Sequence, residues 1–367
     1  MKRFGIFISL FLMGTISFSM QVVAENQRVV NVYHWHNMIP QDVLDQFTME
    51  TGIKVHMDVY DSNDVLETKL LVGHTGYDVV GPSALPYVAR QVPAGIYLPL
   101  NKEKLPILKE LDPKIMAYLE KADPGNKHAV PFLWGLVGFA YDQEKIEALI
   151  PDAPTDSWAM MFDPKIMEKL SHCGVTYLTE STDIFVPVQL YLGLKPDSHD
   201  PKDLQKVVGQ LEKVRPFIER FDAIRPPSEL LAGEVCLSML WVGDMERVKD
   251  AFADKARADK IKVVIPKEGT VLWIDCLAVP VDAPHPEEAY AFINFVMRPD
   301  IIARITNKNY FANPVPASLP FVKETLRQNS AFFPDETQSQ KIFINEPTPP
   351  GVQRKINRAM TKVRTGR

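Results

Sequence analysis

The chain is poor in cysteine and carries no catalytic signature. Its 367 residues include three cysteines, Cys173, Cys236 and Cys276, and no Cys-x-x-Cys pair. That absence argues against a zinc knuckle or a dithiol redox centre. His-Glu-x-x-His, Gly-x-Ser-x-Gly, a Walker loop and Gly-x-Gly-x-x-Gly are all missing, and with them the local marks of zinc proteases, serine hydrolases, NTPases and dinucleotide enzymes. The eight histidines are scattered. His34 and His36 have the spacing of a strand face that binds metal, but no Asp, Glu or Cys beside them completes a set, so no metal is expected. Ser83 has no histidine or acid next to it and reads as a hydroxyl that bonds a ligand or caps a helix. There is no basic stripe and the formal net charge is −5, which argues against nucleic acid as a partner. No internal repeat, low-complexity tract or cofactor motif is visible.

What is present begins with an export pattern. Lys2 and Arg3 precede an uncharged run of apolar and small residues from Gly5 to Met20, and Val22-Val23-Ala24 supplies the small-residue cleavage pattern. A signal peptide over 1–24, cut after Ala24, is expected. The run is short and interrupted by Ser9, Thr15 and Ser17, unlike a membrane anchor. Export implies an oxidising compartment, where three cysteines allow one disulfide and leave one thiol. Cys276 lies in the apolar run Ile274 to Pro280 and reads as a buried, inert thiol. The connectivity stays open at this point.

The rest has ordinary globular composition, 46% hydrophobic and 24% charged, and its length suits about two domains. Arg28 to Trp35 reads as a strand. A helix opens at Pro40, buries Val43, Leu44 and Phe47, and ends at Gly52. Ile53 to Tyr60 alternates as a second strand. Ser62 or Asn63 caps a helix closing near Gly73, and Tyr77 to Val80 is a third strand. This βαβαβ order predicts an α/β fold with ligands bound beyond the carboxyl ends of the strands, where Trp35 and Ser83 stand. Ala129 to Asp142 reads as a connection crossing between two lobes. Helices at Pro164–Leu170 and Leu204–Arg220 and strands at Val175–Leu178 and Val235–Trp241 then build a second lobe. Ile261–Ile265 and Val271–Pro280 read as strands returning to the first, Glu287–Met297 as an amphipathic helix, and 338–367 as a tail wrapping the second lobe. The boundaries expected are 25–132 plus 262–325 for lobe 1, and 133–261 plus 326–367 for lobe 2.

Aromatics interleave with acids at the predicted strand ends. Trp241 precedes Asp244, Trp273 shares a strand face with Asp275, and Asp183 follows a strand with Glu180 beside it. Flat apolar walls with carboxylates suit a ligand of methylenes and ammonium groups: the indoles offer cation–π faces and the acids offer charge-assisted hydrogen bonds.

The chain resembles the polyamine-binding proteins of bacterial ABC importers from about Val30 to its C-terminus. The residues carrying this include Val32-Tyr33-His34-Trp35, Glu50-Thr51-Gly52-Ile53-Lys54-Val55, Asp61-Ser62-Asn63-Asp64-Val65-Leu66-Glu67 and Gly76-Tyr77-Asp78-Val79-Val80 with Pro82-Ser83. They continue with Trp241-x-Gly243-Asp244, Ile265-Pro266-Lys267-Glu268-Gly269 and Arg298-Pro299-Asp300. The resemblance implies a two-lobed periplasmic binding protein fold of type II with crossing hinge strands. It implies aromatic walls from Trp35, Trp241 and Trp273, amine-binding acids at Asp183, Asp244 and Asp275, a pocket serine at Ser83, and a Cys173–Cys236 disulfide. It further implies a periplasmic monomer that passes putrescine or spermidine to an inner-membrane ABC permease, without catalysis.

The departures lie in one corner. His36-Asn37-Met38 stands where the family has a small polar residue, an acid and a tyrosine, and Phe311 stands for a pocket tyrosine. Asn37 accepts a hydrogen bond without compensating charge. Trp273, Glu180 and Asn345 lean toward a longer polyamine such as spermidine. Two competing expectations remain: a binder or sensor of a different cationic or polar solute, and an exported enzyme, for which no nucleophile–base pair is visible.

Overall fold

In a computed structural model of the chain, residues 27–334 and 339–366 are described. The expected signal segment and residues Gln338 and Arg367 fall outside them. The first strand, β1 (Val29–Trp35), is followed by helix α1 (Gln41–Thr51), which buries Val43, Leu44 and Phe47. Pro40 is its N-cap, and Gly52 ends it in the left-handed region at φ 70°, donating its N–H to the Thr48 carbonyl. Strand β2 (Lys54–Tyr60) pairs parallel to β1. Ser62 then caps α2 (Asn63–Val72) by accepting from the Asp64 N–H at 3.2 Å. Strand β3 shrinks to Val79–Val80.

Strand β4 (Ala129–Asp142) is an almost wholly buried run of 14 residues, spanning about 45 Å. Its first half, Ala129–Leu136, pairs antiparallel with β9 (Thr270–Ala278). Its second half pairs with β7 (Leu237–Trp241) and β8 (Ile261–Val264). The strand order is β2-β1-β3-β9-β4-β7-β5-β6, with β5 at Val175–Tyr177 and β6 at Arg220–Phe221. Thus β4 and β9 are the strands crossing between the two lobes. Gly135 sits where a Cβ would overlap the indole of Trp273 on β9, so only glycine lets that ring lie against the crossing.

Two cores flank this crossing. On one side Phe47 of α1 meets Phe292 and Phe295 of the helix Pro286–Val296 at ring distances of 5.3 and 5.2 Å. On the other, Phe139, Trp158 and Phe162 pack with Leu204, Val207 and Leu211 of the helix Pro201–Val214. The C-terminal helix Pro350–Thr365 adds Ile356, Met360 and Val363 to that second core. Arg215 donates to the carbonyls of Val363 and Arg364 and holds this helix by its end.

Two expected elements differ. The helix beginning near Leu204 stops at Val214 rather than Arg220, because Pro216 cannot continue it; a short turn and β6 follow. Strand β8 does not return to the first lobe. It pairs with Phe139–Asp142, the second-lobe half of β4, so the return is made by β9. Periodicity gives a strand's existence but not its neighbour.

Cys173 and Cys236 form a disulfide across 63 residues, and Cys276 is a buried free thiol. The bridge ties the turn before β5 to the start of β7. Replacing both bridge cysteines by serine is expected to lower stability by about 2–4 kcal/mol, read by urea unfolding. A loss below about 0.5 kcal/mol would show that the bridge is not a structural constraint.

Candidate functional site

The acids and indoles meet where the crossing strands pass between the lobes. Trp241 ends β7 and Trp273 lies on β9. Both are half-buried and pack against both cores. Their rings are 6.5 Å apart in an edge contact, and Trp273 also meets Phe311 edge-on at 4.8 Å. Gly243 makes this contact possible: a Cβ there would collide with the Tyr310 carbonyl and the Phe311 ring.

Asp183 lies in the first turn of the helix Ser181–Tyr191, where the helix dipole favours a carboxylate. The Trp241 indole N–H donates to its Oδ2 at 2.8 Å. Burial nevertheless pushes Asp183 up from 3.8 to about 7, and the charges of Glu180 and Asp275 push the same way. Asp275, from β9, accepts from the Ser83 hydroxyl at 2.5 Å. Burial raises it too, from 3.8 to about 7, against the pull of Ser83 and of the nearby Trp35 indole. That indole N–H makes no full hydrogen bond. Among the described residues no Lys, Arg or His side chain pairs with either carboxyl.

Ser83 is held in turn by Asn63, whose Nδ2 donates to Oγ at 2.9 Å and whose Oδ1 accepts the Ser83 N–H at 3.1 Å. Asn63 thus positions the serine, while the capping of α2 falls to Ser62. The sequence offered both residues as caps and gave no sign of this division. Trp35 closes the end of β1 and leans on Tyr60 at a ring distance of 4.8 Å.

A small cavity lies against Asp183 and Trp273. Ala84, Leu85, Thr182 and Asn345 also line it, and its volume is about 20 Å³, room for about one water. The lobes are therefore closed around their own side chains, and a larger solute enters only as they part. The Trp273 indole nitrogen and the Asn345 side-chain oxygen are buried without partners at this cavity.

The remaining expected residues are not all drawn in. Asn37 is exposed, with its backbone at φ 56°, and Met38 packs beside the first core. Asp244, raised by burial, is paired with Arg247 at 3.0 Å. Glu180 is also raised by burial and by the charge of Asp64, with Arg364 and Arg90 pulling against this. His34 is wholly buried within β1, whereas His36 is exposed in the turn after that strand ends, and His34 accepts the Trp35 N–H. Among the described residues no cluster has the makings of a metal site, and no helix is long and apolar enough to cross a membrane.

Two lobes, crossing strands and polar groups facing each other between them define a solute-binding protein. The chain matches the bacterial extracellular solute-binding protein family over residues 42–334 and belongs to it. It is 41% identical to the putrescine-binding periplasmic protein SpuD of Pseudomonas aeruginosa, each chain covered in full. It is 37% identical to the putrescine-binding periplasmic protein PotF of Escherichia coli, with 95% of each chain covered. In fold it is similar to the spermidine/putrescine transporter substrate-binding protein PotD of Streptococcus pneumoniae. There the TM-score is 0.77 at 23% identity, covering 92% of this chain and 99% of that one.

The two raised aspartates set the sign of a pH effect. In the folded chain Asp183 and Asp275 keep protons up to about pH 7 that the unfolded chain releases near pH 4. Their stabilising contribution is full below the unfolded value and is lost as pH rises through about 7. Ligand-free protein should thus lose stability through these groups between pH 5 and pH 8. Asp183→Asn should shrink that loss in thermal melts; an unchanged pH profile would contradict the protonation of Asp183.

Proposed function

We propose that the chain is a periplasmic, non-enzymatic binding component of an ABC importer that captures a polyamine between its lobes and passes it to a membrane permease. The observation carrying this reading is the pair of buried carboxyls, Asp183 and Asp275, each hydrogen-bonded by neutral groups and without a cationic partner among the described residues. An ammonium group from outside is the partner that restores their charged form. The relatives named for putrescine support the choice of amine.

In this reading Asp183 and Asp275 each hold an ammonium group. Ser83 and Trp241 orient them, Trp35, Trp273 and Phe311 wall the methylenes, and Asp244, Glu180, Asn37 and Met38 lie toward the rim. The first lobe comprises about 25–132 and 270–325. Its second boundary is moved from 262 because β8 pairs with the second-lobe half of β4. Residues 1–24 act as the cleaved signal, and the protein works as a monomer.

A second reading, a binder or sensor of another cationic or polar solute, is favoured by one observation. The exposed His36-Asn37 corner carries no acid.

Calorimetry with a panel of amines, amino acids and sugars separates the two readings. Putrescine or spermidine should bind saturably and raise the melting temperature. Binding should release protons near pH 6–7, and affinity should fall as pH drops below about 7, by up to about tenfold per pH unit for each acid. Asp183→Asn should cost about tenfold or more at pH 8. No binding at millimolar polyamine would contradict the proposal.

A further inference from the structure

The Cys173–Cys236 bridge has two unlike ends. Cys236 is wholly buried, whereas Cys173 is half-buried. Cys173 also lines an open surface cavity of about 500 Å³, together with Lys145, Leu149, His172, Glu219 and Glu234, and Cys236 takes no part in its wall. That volume is within the range of small-molecule sites, and the wall carries charge of both signs. The bridge closes the amino ends of two neighbouring parallel strands, since Cys173 comes before β5 and Cys236 before β7. Asp183 and Trp241 stand at the other ends of those strands. The cavity is therefore separate from the acids and indoles between the lobes. Disulfide exchange begins when a thiolate reaches one of the two sulfurs, and from this cavity only the Cys173 sulfur is within reach. On the inner side, the carbonyl oxygens of Gly174 and Leu170 lie 3.4 and 3.7 Å from the Cys236 sulfur. They are acceptors in place for a neutral thiol.

We infer that Cys173 is a thiol–disulfide exchange site, at which a small charged thiol enters the cavity, bonds to the Cys173 sulfur and releases Cys236 as a buried thiol. The entering thiolate forms a new S–S bond to Cys173 as the Cys173–Cys236 bond breaks. The Cys236 sulfur leaves with the electron pair, takes a proton from water and donates its S–H to the Gly174 carbonyl. One thiol and one disulfide enter the step and one of each leaves it, so no further oxidant is needed. The reverse attack, by Cys236 on the mixed disulfide, restores the bridge and returns the small thiol to the cavity. Cys276, wholly buried on β9, takes no part. The inference does not depend on which solute the lobes bind.

Two single variants separate the ends of the bridge. Cys236→Ser leaves the Cys173 thiol at the cavity, and Cys173→Ser leaves the Cys236 thiol in the core. Each mature variant, its folding confirmed by thermal melts, is incubated with oxidised glutathione. The adduct is followed by intact mass and located by peptide mapping. The Cys173 thiol should take up glutathione at least about tenfold faster than the Cys236 thiol, because access sets the rate. In urea the two rates should converge. Equal rates in the folded variants, or no adduct at Cys173 where one forms in urea, would overturn the inference. A second measurement needs no variant: reduced glutathione is added to the unaltered folded protein, and the products are trapped with acid. The mixed disulfide should map to Cys173. A mixed disulfide at Cys236, or none at a concentration that opens the bridge in urea, would overturn the inference as well.

Discussion

Two buried carboxyls, Asp183 and Asp275, with no cationic partner among the described residues, are the constraint around which this molecule is arranged. A move from 3.8 to about 7 at Asp183 corresponds to ~4 kcal/mol against its charged form. A fold tolerates such a group where it is hydrogen-bonded and where function demands it. Here the donors come from widely separated stretches of chain. Trp241 at the end of β7 serves Asp183 on the helix Ser181–Tyr191 of the same lobe, and Ser83 after β3 serves Asp275 on β9. The crossing of β4 and β9 brings these stretches together, and glycines at 135 and 243 let the aromatic rings approach backbone that any larger residue would displace.

Closure follows from the same arrangement. Beyond the indoles, the lobes meet where Asp250 accepts from the Tyr310 hydroxyl and faces Lys323 at 3.5 Å. In the closed form the acids repel each other and are cut off from water, so closure without a cation is disfavoured at neutral pH. A bound amine removes that cost and shifts the population toward the closed state, which is the differential interaction any ligand-driven closure requires. Surface ion pairs elsewhere, such as Lys206 with Asp203, contribute little by comparison.

Much of the framework was legible in residue order. The βαβαβ start, the Gly52 stop, the long apolar crossing strand and the aromatic–acid pairs follow from period, punctuation and spacing. The rest was not, for physical reasons. Whether β8 joins one sheet or the other depends on a partner more than a hundred residues away, invisible to local pattern. The helix that begins at Pro201 ends at Val214, two residues before Pro216, a breaker the periodicity overran. Asn63 looked like a cap because cap and second-layer asparagines share one residue type; only the distance to Ser83 separates them. Asp244 looked equivalent to Asp183 until Arg247 was seen against it. Asn37 matched a pocket position by alignment of motifs, yet its side chain is exposed in the closed form.

The central claim is that the carboxyls of Asp183 and Asp275 are completed by an amine from outside the protein. Native mass spectrometry of the mature protein isolated from periplasm, without denaturation, tests it most directly. The account predicts an added mass equal to a di- or polyamine that is lost on mild activation and reduced in Asp183→Asn. A retained sugar, organic acid or neutral amino acid in place of an amine would contradict it.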